Sequence, residues 1–375
     1  MGVYSTQTVG IHKKIDETFY FEAGKVYTLD VVDCNDTRAI LTDGPDFNSK
    51  IKELASRVSG KKRNDKDSDL VIYSISFHAD SQMPNQGDNT IDLSAGGDGS
   101  VLGVATLNEE FESDGLYDID IYTEAANFST LNTANMFSLF GKLVEINGLE
   151  KLNTYGATMM KRMFASAAKV RKLDLSSFNN ANAMAFDSMF FRCENLEELQ
   201  LGDNFITSKA IRAVALFNKC YKLKSVDVSK LDVSNCTSIS QMFQNCEAME
   251  EIVCPLDASG CTSISQMFYQ CKKARRIDIS KMKTSSKLIS TRYMFYQCNA
   301  LEDTLDFTNF YTLRDTCFYR AFCGLGKIKA IKVGDNFNIN AALKRAESKT
   351  TPLQEFFGSS STASSTSCYV GAGMT

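Results

Sequence analysis

Two near-copies lie end to end in the middle of the chain, and they leave few architectures open. S-I-S-Q-M-F-Q-N-C-E-A-M-E-E-I-V-C runs from Ser238 to Cys254, and S-I-S-Q-M-F-Y-Q-C-K-K-A-R-R-I-D-I runs from Ser263 to Ile279. The period is 25 residues. Self-similarity at such a period marks a repeat protein, in which each unit covers its neighbour's apolar face. Met-Phe, or a relaxed form of it, recurs eight times, with the marker phenylalanine at Phe137, Phe164, Phe190, Phe217, Phe243, Phe268, Phe295 and Phe322. The gaps of 25 to 27 residues confine insertions to turns.

Six residues past each marker comes an apolar column of Leu143, Val170, Leu196, Leu223, Met249, Ala274, Leu301 and Ile328. Nine and eleven past it come pairs such as Leu173 and Leu175, Leu199 and Leu201, or Ile277 and Ile279; the seventh unit has one extra residue and uses Leu305 and Phe307. This L-x-x-L-x-L skeleton predicts short strands with two side chains inward and the residue between them outward. The expected fold is therefore a repeat solenoid, leucine-rich-repeat-like and α/β, of about eight 25–27-residue repeats with a small α+β N-terminal lead-in.

The boundaries follow from where the period stops. Residues 1–43 read as a small β-rich anchor or docking segment, with strands between Phe19 and Val32. Residues 44–130 read as an N-terminal cap module: Asp46 caps a helix that carries Phe47, Ile51, Leu54 and Ala55, and Leu70–Phe77 and Leu116–Tyr122 alternate as strands. Residues 131–340 are the repeats, and 341–375 a C-terminal cap with a Ser/Thr-rich tail.

Met189–Leu201 and Leu173–Phe178 together spell M-F-x-x-C-x-x-L-x-x-L-D-L-S-x-F. That pattern resembles the BspA-like leucine-rich repeat family of bacterial surface proteins. Gly44–Ala55 (G-P-D-F-N-S-K-I-K-E-L-A) and Ile91–Val101 (I-D-L-S-A-G-G-D-G-S-V) resemble the family's N-terminal module, so the likeness runs from about 44 to 337. It implies a right-handed solenoid that adheres or binds a ligand, with no catalytic residues to carry over. Family members are exported and anchored, whereas no signal, lipobox or sorting motif is visible here. Assembly into a virion or phage-tail-like particle is one route outside without a signal, with a cell surface as the alternative.

Charge and motif content point the same way. A formal charge of −4 argues against a nucleic-acid partner, and no run of 18 apolar residues predicts a membrane span. The chain has two histidines and lacks G-x-S-x-G, H-E-x-x-H and a phosphate loop, so no enzyme and no cofactor are expected. Cys193, Cys220, Cys246, Cys271 and Cys298 each stand three residues past a marker. One per unit, about 5 Å apart, they should form a reduced, buried ladder rather than disulfides, because their Cβ vectors run parallel. A metal site is disfavoured for want of C-x-x-C and histidine partners.

Two surface patterns are candidates for function. Seven past each marker the charge alternates: Arg171, Glu197, Lys224, Glu250, Arg275, Glu302, Lys329. This reads as a register device, with a docking stripe as the alternative. The outward strand column of Asp174, Gln200, Asp227, Val253, Asp278 and Lys332 is the expected binding face for a protein or glycan on a cell surface. Residues 1–43 would then engage other particle proteins, and a homo-oligomer is compatible. A purely structural virion or scaffold protein is the competing reading.

Overall fold

In the computed structural model, which describes residues 5–6, 25–26, 39–59, 71–95, 100–108, 116–205, 207–312, 318–325, 327–337 and 367–369, one α-helix forms, α1 (Gly44–Ser59). The helix begins two residues before the place expected from sequence, so Asp46, read there as its cap, lies inside its first turn. Arg57 lies in its last turn, and both charges are favoured by the helix dipole. One face buries Phe47, Ile51, Leu54 and Ala55. The strands expected near 19–32 (Lys25–Val26 apart), the charged stretch 61–69 and the tail 341–366 lie outside the described residues.

By internal contacts the chain divides into Met1–Thr37 and Arg38–Thr375. In the first unit β1 (Ser5–Thr6) pairs in parallel with β2 (Lys25–Val26). The second unit begins with β3 (Ala39–Ile40), followed by α1. A five-stranded sheet then forms from β4 (Ile72–Ala79), β5 (Thr90–Ala95), β6 (Val101–Asn108), β7 (Tyr117–Thr123) and, beyond β8 (Phe128–Ser129), β9 (Glu145–Asn147). Its order is β5-β6-β7-β4-β9. The last strand belongs to the first repeat and runs parallel to β4, Ile75 opposite Ile146, so the cap sheet continues into the repeats.

The repeats stack through their marker phenylalanines. Successive rings from Phe137 to Phe322 lie 5.3 to 6.0 Å apart and nearly parallel, and all eight are buried. Phe47 of α1 meets the first ring edge-on at 5.8 Å, closing that end of the column.

The expected leucine-rich-repeat-like α/β solenoid is corrected. Among the described residues α1 is the only α-helix, and it precedes the repeats. Beyond β10 (Leu152–Asn153), the repeat strands do not join into one sheet. β11 (Lys172–Leu175) pairs with β12 (Glu198–Leu201), β13 (Glu251–Val253) with β14 (Arg276–Asp278), and β15 (Thr304–Phe307) with β16 (Ala330–Val333), which also pairs β17 (Ser367–Tyr369). These are separate two- and three-stranded sheets. The break between β14 and β15 coincides with the extra residue of the seventh unit, which shifts the two-residue alternation by one.

What replaces the helix is a pair of tight turns. Two and minus two residues from each marker the backbone is left-handed, as at Arg162 and Ser166, Gln241 and Asn245, or Gln266 and Gln270. Such a residue every four positions breaks an α-helix each time it starts. Amides within the unit close local turns, such as Gln244 to Gln241 and Cys246 to Phe243 (both 3.1 Å). Amides of Gln241, Phe243 and Asn245 instead donate to Ser265, Met267 and Tyr269 of the next unit, at 2.8 to 2.9 Å.

This geometry makes a side-chain-independent prediction at Ser166, where φ is 62°. Ser166→Val should lower unfolding free energy by about 1–2 kcal/mol, since a β-branched side chain is least tolerated there. Ser166→Gly should cost nothing or stabilise. Urea unfolding of both proteins checks it; equal losses would show that handedness is not what Ser166 supplies.

Candidate binding surface

The six outward strand residues do not belong to one hydrogen-bonded sheet. Asp174 lies opposite Gln200 in β11–β12, and Val253 opposite Asp278 in β13–β14. Lys332 lies opposite Asp306, its Nζ 2.9 Å from the carboxylate. Asp227 falls between these sheets, in a stretch with no strand. Asp174 and Gln200 meet in a groove, an open depression of about 460 Å³ framed by Lys172, Glu198 and Lys224.

The aspartates of this column have a structural task. Asp174, Asp227, Asp278 and Asp306 accept the backbone N–H two residues on, from Ser176, Ser229, Ser280 and Thr308, at 2.8 to 3.0 Å. Each closes an Asx turn at the end of a strand position. The Ser176 hydroxyl and amide hold the Asp174 carboxyl below the usual carboxylate range, and the Ser229 amide and hydroxyl do the same for Asp227. At Asp278 and Asp306 partial burial works against the shift. Hydrogen bonds from Ser280 and Thr308, with the Arg276 and Lys332 charges, outweigh it, so both are also lowered.

Three of the seven alternating charges pair across units, and Arg276, one position further on, makes a second cluster. Glu197 takes Arg171 on one oxygen (2.8 Å) and Lys224 on the other (3.1 Å), and these two cations hold its carboxyl below the ordinary value. Arg276 binds Glu251, Asp278 (2.7 Å) and Asp303 (3.4 Å). Exposed pairs of this kind contribute roughly 0.2–1 kcal/mol each.

The cysteine ladder is buried and does more than fill space. Each thiol donates to the marker carbonyl of the preceding unit: Cys193 to Phe164, Cys220 to Phe190, Cys246 to Phe217, Cys271 to Phe243 and Cys298 to Phe268, at 2.9 to 3.2 Å. Burial pushes every one of the first four thiols well up from its ordinary value. In a second ladder burial raises Cys236 and Cys261 to about 12. Thiolate is the reactive form. Native-state maleimide labelling read by mass spectrometry is therefore expected to leave all seven unmodified, and full labelling to need denaturant. Rapid native labelling at Cys246 or Cys271 would refute this.

Three features escaped sequence reasoning. On the open face of the cap sheet His78 Nε2 lies 2.8 Å from Asp120 Oδ1, and its ring stacks on Tyr122 at 4.8 Å. Burial and the Asp120 charge raise the Tyr122 hydroxyl. A His–Asp pair can serve a base, but the hydroxyl in the neighbouring register position, Ser76, accepts from Asn147 (3.2 Å) instead. Six residues before each of the first seven markers, Leu131, Thr158, Met184, Ile211, Thr237, Thr262 and Ile289 form an exposed ladder. Each amide after the first donates to the residue before it at 2.8 to 3.0 Å. The third feature is a tyrosine cluster on the turns of the last units, where only the folded turn brings together residues that the marker spacing keeps apart.

Among the described residues no group of three or more His, Cys, Asp or Glu is placed to hold a metal ion, and no helix is long and apolar enough to cross a membrane. No curated protein and no solved structure matches the chain. The family described as "Mycoplasma protein of unknown function, DUF285" matches twice, over residues 107–226 and 212–329. Both matches carry the stacked units, and together they span more than half of the 375 residues. The chain thus belongs to that family, DUF285.

Proposed function

We propose that this is a non-enzymatic binding protein that attaches to a ligand on a cell surface. The observation that carries the reading is the groove beside β11–β12, where Asp174, Gln200, Glu198, Lys172 and Lys224 offer polar groups of both signs on a rigid stack. Such a face suits a polar or cationic group, a glycan amine or a basic protein patch. Contacts of this kind are weak singly and gain by avidity when many copies are displayed. The likeness of the M-F-x-x-C pattern to the BspA-like surface proteins supports the same role, with a virion, a phage-tail-like particle or a cell envelope as the bearer.

Glu198→Lys with Gln200→Lys tests it, since both residues are exposed and neither closes a turn. Fluorescently labelled chain bound to intact cells and counted by flow cytometry should lose about tenfold in affinity, the scale of removing one good charged contact. Attachment unchanged by the double substitution sinks the strand-face assignment. Immunogold labelling on lysates reads which bearer carries the protein.

A further inference from the structure

Four tyrosines and two arginines gather on the turns of the sixth to eighth units, away from the strand face. Tyr269 and Tyr296, each one residue past its marker, stack with ring centroids 5.0 Å apart and planes 10° from parallel. Tyr293, in the left-handed position of its unit, stands edge-on to both and to Tyr319, at 5.5 to 6.5 Å. The guanidinium groups of Arg292 and Arg320 lie over the Tyr319 ring at 5.0 and 5.5 Å. All four rings are partly exposed and both arginines are exposed.

Nothing in the stack's own construction asks for these residues. The column behind them is already filled by Phe268, Phe295 and Phe322. The equivalent positions in earlier units mostly hold non-aromatic residues, Ala165, Asn218 and Gln244 one past the marker and Lys161, Asp187 and Ser240 three before it, and those units stack equally well; Phe191, with Lys219 over its ring, is a lone aromatic precedent. Arg171, Arg212 and Arg276 each pair with a carboxylate. Among the described residues neither Arg292 nor Arg320 does. In a chain with 45 acidic and 41 basic residues, two adjacent guanidiniums held on an aromatic face form a local site of opposite sign.

We infer that this turn face is a second binding site, specific for an acidic polysaccharide. Partly exposed tyrosine rings offer flat apolar faces, with phenol groups at their edges, to the C–H faces of pyranose rings. Guanidinium forks match carboxylates in plane and in donor spacing. Cation–π contact with Tyr319 pre-orients both arginines, which lowers the ordering cost of binding. Side-chain amides continue the surface along the stack: Gln270 donates to Gln297 at 2.6 Å and Gln241 to Gln266 at 2.9 Å. A polymer that repeats ring and carboxylate would meet this pattern more fully than an acidic peptide, which has no ring faces to offer. The site differs from the strand-face groove in place and in the sign of ligand it takes.

The test uses the full chain against immobilised hyaluronan, polygalacturonate and polysialic acid, with dextran and polyglutamate as references. Binding to at least one acidic polysaccharide is expected, at least about tenfold above polyglutamate and dextran. Arg292→Gln with Arg320→Gln should remove about tenfold or more of it, and so should Tyr269→Ala with Tyr296→Ala. Glu198→Lys with Gln200→Lys should leave it in place, which separates this site from the strand face. Thermal melting verifies that each variant is folded, and the arginine pair, exposed and outside the core, decides if the tyrosine pair melts early. Binding to none of the three, equal binding to polyglutamate, or full retention in the arginine variant overturns the inference.

Discussion

Phe243→Ala is expected to cost about 3–5 kcal/mol, the range for a buried phenylalanine lost to a cavity. The ring is fully buried between Phe217 at 5.4 Å and Phe268 at 5.7 Å, so the gap opens in the middle of the column. Main-chain bonds on both sides, Phe217 to Met242 and Phe243 to Met267, hold the neighbouring units at their spacing and limit collapse. Phe268→Ala should cost as much, and the double variant should depart from additivity because the two rings are in contact. Urea unfolding of the three proteins measures this. Stability within half a kcal/mol of the parent would place Phe243 outside the core column.

Asn48→Asp is expected to be the most damaging isosteric change in the cap. Asn48 is buried on α1, and its amide nitrogen donates to the carbonyls of Met136 (3.3 Å) and Ser138 (2.9 Å). Those two carbonyls occupy the positions that, in every later unit, accept amides from the unit before; Met163 and Ala165 take Phe137 and Leu139 in this way. The side-chain amide thus stands in for a missing neighbour. A carboxylate there cannot donate and would face two carbonyl oxygens without water. The loss at neutral pH should be about 3 kcal/mol or more, against about 1–3 for Asn48→Ala. Protonation restores a donor, so the aspartate variant should regain stability relative to the parent as pH falls towards 4. A variant whose deficit is the same at pH 4 and pH 7 would show that donation by Asn48 is not what holds this end.

The Phe and Cys columns were legible because a fixed period marks equivalent positions whatever the backbone does between them. The turns were not. Ile239, Met242, Phe243, Cys246 and Met249 fall at i, i+3, i+4, i+7 and i+10, the spacing of a helical face, and all five are buried. Four-residue turns produce the same spacing. Glycine would have exposed the left-handed positions, but they are held by Gln, Asn, Arg, Ser, Lys, Leu, Ala and Tyr, with Gly324 at the last. The outward aspartates were legible as a column, but their turn-closing bonds were not read from it. The D-x-[ST] spacing of Asp174–Ser176, Asp227–Ser229, Asp278–Ser280 and Asp306–Thr308 was the available sign that they close turns. The tyrosine and arginine cluster had no such sign, since its members occupy three different positions of the period and meet only across units.

The turn ladder has a grammar of joining. Every unit offers the same three carbonyls backwards and the same three amides forwards, and Asn48 reads the backward-facing set without regard to which unit presents it. Length is therefore a free variable of this design. Excising one whole period, such as Ser238–Thr262, brings Ser263 into the place of Ser238, with identical S-I-S-Q-M-F and the same partners on either side. A gene encoding such a chain can lose or gain a whole unit by recombination between near-identical segments, with the same main-chain bonds available at the new junction.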